Sequence, residues 1–166
     1  MKLDVTELRG VVDRFKDERI EPPFPVLHAL ASLIGDATVS TAITVHKLAR
    51  ASESSQETGT TWECMALAGD AVVHVSGART GRDWYLGRVY DEDEDSTPVV
   101  IGSLTPLREI ATCRVLKVWT ISETEWIAKW QFELRNRDPL VIPWPDHLYG
   151  QQQHEALALD VAKRLR

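Results

Sequence analysis

The stretch Trp126-Ile127-Ala128-Lys129-Trp130-Gln131-Phe132-Glu133-Leu134 decides how this chain folds. Trp126, Ala128, Trp130, Phe132 and Leu134 fall on one side of a two-residue repeat, with Glu125, Lys129, Gln131 and Glu133 on the other. That is the rhythm of a β-strand with one buried face. A slip of one residue would turn the aromatic set into water, so the register is strongly specified. Towards the N-terminus, Ser122, Glu123 and Thr124 form a tight connection to a β-branched run over residues 110–121. That run reads as a strand apolar on both faces, with Val115, Trp119 and Ile121 on one side and Leu116 and Val118 on the other. The second face needs a cover, either helices from the N-terminal region or a second copy of the chain.

The same alternation recurs further upstream. Val39, Thr41, Ile43 and Val45 interleave with Ser40, Ala42, Thr44 and His46, and runs at 62–68 and 71–76 meet at a Gly69-Asp70 turn. Further runs lie at 84–90 and, after Pro98, at 99–104, while the polar stretch 51–60 reads as a loop. Downstream, Asn136-Arg137-Asp138-Pro139 turns the chain into a short strand over 140–144, which Pro145 ends. Helical spacing replaces this rhythm at both ends. Asp4 and Glu7 form a capping-box pattern ahead of Val5, Leu8, Val12 and Phe15, which predicts a helix over 5–17. Pro25 suits the first turn of a second helix carrying Val26, Leu27, Leu30, Leu33 and Ile34 before Gly35 stops it. From Gln151 the helical period returns through Leu157, Val161 and Leu165, with Lys163, Arg164 and Arg166 placed where the helix dipole favours cations.

The fold class is therefore α+β: two N-terminal helices, an antiparallel meander of seven or eight strands, and a C-terminal capping helix. Residues 1–36 are expected to pack as a helical segment on the sheet of residues 37–166, in one folding unit. At 166 residues, with 43% hydrophobic and 27% charged residues, the chain is sized and composed as a globular domain that needs neither metal nor disulfide. Acids in the first seven residues argue against a secretory signal, and the longest apolar runs fall short of a transmembrane span. Cys64 and Cys113 lie singly in apolar runs, which points to buried thiols and a reducing, cytoplasmic setting. The net charge is −6, of which Asp91, Glu92, Asp93, Glu94 and Asp95 account for most. That balance opposes nucleic-acid binding.

Short strands in a meander, ending in one amphipathic helix that plugs an open end, resemble a pleckstrin-homology-like barrel or sandwich of the bacterial type. The resemblance runs over residues 39–166 and is carried best by Leu107-Arg108-Glu109-Ile110, the 126–134 strand, Leu140-Val141-Ile142-Pro143-Trp144 and the tail helix. It implies a binding or scaffolding module that recognises a protein, peptide or anionic partner, without cofactor and without catalysis. The competing reading is a small-molecule pocket protein or enzyme of cone-shaped NTF2-like or START-like type, holding a small apolar ligand.

Two candidate sites follow. Gly77-Ala78-Arg79-Thr80-Gly81-Arg82 reads as a turn in which Gly77 and Gly81 free the backbone while Arg79 and Arg82 offer guanidinium groups to an anion. Its ordinary reading is a solvated hairpin loop. The chain holds six tryptophans, and Trp126, Trp130 and Trp119 are candidates to line a pocket, against the ordinary reading that they fill the core. The 91–95 acids lack the spacing and glycine of a calcium loop, and His28, His46, His74, His147 and His154 never form a metal-binding pair, so no metal site is expected. No GxSxG, Walker or GxGxxG pattern occurs.

Overall fold

The computed structural model describes residue 15, residues 21–49, 59–80, 84–85, 97–123, 126–145 and 148–166. The first described element is helix α1, Phe24–Ile34. Pro23 opens it in extended conformation, and its carbonyl accepts from the Val26 and Leu27 amides. Gly35, at φ 54°, closes it by returning its N–H to the Ala31 carbonyl, a conformation glycine adopts without penalty.

Four strands follow, β1 (Val39–Ala49), β2 (Gly59–Ala68), β3 (Ala71–Thr80) and β4 (Val99–Pro106), in an antiparallel sheet ordered β1-β2-β3-β4. The Gly69-Asp70 turn fixes the β2–β3 register from Ala68 opposite Ala71 outward. Pro106 then interrupts the ladder. A single 3-10 turn, Leu107–Glu109, carries the chain into a second antiparallel sheet of β5 (Ile110–Thr120), β6 (Trp126–Leu134) and β7 (Leu140–Val141). The Leu107 amide bonds the Asp70 carbonyl at 2.9 Å, pinning this corner to the β2–β3 turn. Helix α2, Leu148–Arg164, ends the fold.

The four-stranded sheet is the middle layer. On one face α1 buries Val26, Leu30 and Ile34 against Cys64, Ala66, Val73 and Val75, with Phe15 and Trp84 in the same cluster. On the other face Ile43, Met65, Leu67 and Val72 meet Ile110 and Phe132 of the second sheet and Leu157, Ala158 and Val161 of α2. Two glycines let α1 settle this closely. A Cβ on Gly77 would lie 2.6 Å from Val26 Cγ2, and one on Gly102 would lie 2.8 Å from Leu33 Cδ1. Helix α2 is anchored polar side by polar side: Asp160 accepts from the Thr41 hydroxyl, and Arg164 donates to the Gly69 carbonyl at 2.5 Å and to Ser40 Oγ at 3.3 Å.

The α+β class and the antiparallel strands are present, but the barrel is not closed. The expected single meander is two sheets of four and three strands, because Pro106 and the 3-10 turn remove the hydrogen bonds that would join β4 to β5. Two helices are described, one before the strands and one after. The helix expected over 5–17 lies outside the described residues apart from Phe15, and the strand expected over 84–90 apart from Trp84 and Tyr85. β7 is two residues long rather than five, since Pro143 and Pro145 cannot extend a ladder. The tail helix starts at Leu148, three residues before the expected onset.

Candidate functional site

Between the two sheets runs an open groove with a volume of about 590 Å³. One wall is the four-stranded sheet, which contributes Val45 and Lys47 from β1, Thr61 and Glu63 from β2, and His74 from β3. These residues share one face because Val45 pairs with Glu63 and Lys47 with Thr61, and His74 pairs with Met65 one step further along. The opposite wall is Lys129 of β6 with Leu140, Ile142, Pro143 and Trp144 of the segment through and beyond β7.

Glu63 and His74 are diagonal neighbours across the β2–β3 ladder, and Glu63 Oε2 lies 2.6 Å from His74 Nε2. The carboxylate therefore fixes the orientation of the imidazole at the groove wall. Lys129 sits in a different environment. Its ladder partner on β5 is Lys117, an opposition of like charges that costs free energy. Among the described residues, neither Lys129 nor Lys47 has a carboxylate partner. Lys117 Nζ instead lies 4.8 Å from the centre of the Trp119 ring.

The apolar wall is rigidly backed. Trp144 stacks on Trp119 at 4.7 Å and an interplanar angle of 29°, and its other contact is the edge-on ring of His154 at 4.9 Å. His154 is completely buried. Its Nε2 accepts from the Trp130 backbone N–H at 2.9 Å, so Nδ1 carries the proton and donates to the Pro143 carbonyl at 2.8 Å. Burial holds its pKa below the ordinary value, with nearby Lys129 adding to the effect and the Pro143 carbonyl opposing it. A neutral histidine thus ties α2, β6 and the groove-forming segment together.

The residues expected to form sites are dispersed. Gly77 and Arg79 belong to β3, which runs straight to Thr80, and Gly81 and Arg82 lie outside the described residues. Gly77 is buried under α1, so its role in the described structure is close packing rather than a turn. Arg79 points, by strand alternation, to the α1 face, opposite the groove. The three tryptophans do not converge on one cavity. Trp126 is 55% exposed, Trp130 packs against the core beside α2, and Trp119 supports Trp144 from behind. Neither cysteine forms a disulfide: Cys64 is buried, and burial pushes the Cys113 thiol up to about 11 while its Sγ donates to the Ala158 carbonyl. Among the described residues, no cluster of three or more metal-ligating side chains occurs, and no helix is long and apolar enough to cross a membrane.

Lys47, Glu63, His74, Lys129 and Trp144 were not singled out in the sequence. The Glu63–His74 pairing was accessible, since a two-residue turn at Gly69-Asp70 sets 63 opposite 76 and hence diagonal to 74. The placement of Lys47 and Lys129 along one groove was not, because it depends on how two sheets face each other. Neither a family model, nor a curated protein, nor a solved structure matches this chain.

Proposed function

We propose that the chain is a binding module whose ligand carries an anionic group on a flat apolar body and seats in the groove between the sheets. The observation that carries this reading is that Lys47 and Lys129 line a groove walled by Ile142, Pro143 and Trp144, neither forms an ion pair among the described residues, and the groove's carboxylate, Glu63, is engaged by His74. An anion between them offsets the cost of setting Lys129 against Lys117. Trp144, held by stacking on one side and by His154 on the other, presents a pre-organised surface, which lowers the ordering cost of binding. His74, oriented by Glu63, adds a directed polar contact. Among the described residues seven antiparallel strands, in two sheets, precede the terminal helix, and a non-catalytic binding role is what the PH-like resemblance implies.

The test uses 2-naphthoate as probe and the uncharged 2-naphthalenemethanol as control, followed by tryptophan fluorescence and calorimetry. The carboxylate binds more tightly than the alcohol, and Lys47→Ala with Lys129→Ala lowers its affinity at least about tenfold, the scale of losing charge-assisted contacts. Equal affinity for both probes in the unmodified chain overturns the reading.

A further inference from the structure

We propose that β5 is a homodimer interface, pairing antiparallel with β5 of a second copy. Among the described residues β5 is an edge of the β5-β6-β7 sheet, and all its ladder partners lie on β6. It is 11 residues long and contains neither proline nor an acid. Native edge strands are normally blunted by such residues, by lysines directed off the edge or by bulges, and of these devices β5 carries bulges, at 110–112 and 115–117. Here both charges are engaged within their own sheet: Arg114 reaches Glu133 at 3.4 Å, and Lys117 covers the Trp119 ring. Large apolar side chains are exposed beside them. Val115, Leu116 and Val118, with Ile121 and Trp126 beside them, are all more than two-fifths exposed, Val118 by 53%. Five large apolar side chains on two adjacent strands make a patch of the size that marks an interaction surface.

The side-chain pattern selects a second copy as the occupant. The bulge between Val115 and Lys117 puts Val115 and Val118 on one face, opposite Trp130 and Ala128, and Arg114, Lys117 and Trp119 on the other. With a twofold axis between Leu116 and Lys117, Val115 lies opposite the second copy's Val118, and Arg114 opposite the second copy's Trp119. Apolar meets apolar on one face, and on the other Arg114 is set opposite an uncharged residue. Leu116 then faces the aliphatic stem of the second copy's Lys117. Sliding by two residues one way sets Arg114 against Lys117, which is repulsive, and the other way sets Val115 against Thr120. One register is therefore self-complementary.

Sedimentation equilibrium on the full chain tests this. The unmodified protein reaches a dimer of twice the 18.7 kDa chain mass at high micromolar concentration. Leu116→Lys places a lysine against the second copy's Lys117 and weakens the dimer at least about tenfold, whereas Leu116→Glu places a carboxylate there and retains it. Leu116 is exposed, so folding checked by circular dichroism stays intact in both variants. A monomer at every concentration overturns the proposal, and so does equal weakening by the two substitutions, which would locate the contact elsewhere or in another register.

Discussion

The backbone N–H of Trp130 donates to Nε2 of His154 at 2.9 Å, and this bond joins the central strand of the second sheet to the terminal helix. Because the remaining ring nitrogen donates to Pro143, the imidazole can serve both partners only in its neutral form.

Protonating His154 sets a donor against the Trp130 N–H inside the core. Its folded-state pKa lies below the ordinary 6.5, so the unfolded chain binds the extra proton first. The stabilisation is fully present above 6.5 and declines as pH falls below it. Glu155, whose carboxyl is raised by partial burial, acts in the opposite sense but in a lower window, around the carboxylate range. Urea midpoints therefore fall between neutral and mildly acidic pH, and His154→Gln flattens this decline. His154→Ala costs about 2–4 kcal/mol at neutral pH by leaving a cavity and an unpaired amide. An unchanged pH profile in His154→Gln contradicts the assignment.

Gly77 and Gly102 both underlie α1, yet their substitutions differ in cost. A methyl on Gly77 meets Val26 Cγ2, the branch of a side chain stiff at χ1, and the Trp84 ring at 3.1 Å; one on Gly102 meets the far end of Leu33. Gly77→Ala destabilises by about 1–3 kcal/mol, while Gly102→Ala is near neutral because Leu33 turns aside and the unfolded chain loses freedom. Adding Val26→Ala recovers part of the Gly77→Ala loss in a double-mutant cycle. Additivity of the two changes would refute the contact.

Cys113 is chemically quiet in the folded chain. A thiol raised to about 11 holds about a hundredfold less thiolate at mildly alkaline pH than one at its ordinary 9.0. Alkylation by iodoacetamide is accordingly slow until denaturant is added, when both cysteines react together. Rapid modification of one thiol in the folded protein runs against this.

Much of the fold was legible because alternation and punctuation coincide. Val39 to Val45, the Gly69-Asp70 turn and the Pro25 to Gly35 helix each carry their own local signal, and each stands where its residues place it. The 126–134 segment is extended as read, but its faces are not as clean as the repeat suggests: Gln131 is buried where β6 runs between β5 and β7, and Trp126 is exposed at the end of β6 that β7 does not reach. The β5 bulge likewise swaps which residues share a face, and a bulge leaves no mark in an alternating run. Glycines at 77 and 81 read as a turn because the packing demand of Val26 on Gly77 is invisible without the helix above it. The groove was illegible for the same reason: Lys47 and Lys129 are far apart in sequence and come to line one groove only through the packing of two sheets.

The most direct test of the binding account follows backbone amide and indole N–H resonances during titration with 2-naphthoate. The account predicts shifts concentrated at Trp144, Lys129, Lys47 and His74, with the exposed Trp126 unmoved. Shifts centred on Trp126 and β5, or on Arg79 and the α1 face, with the groove silent, would contradict it.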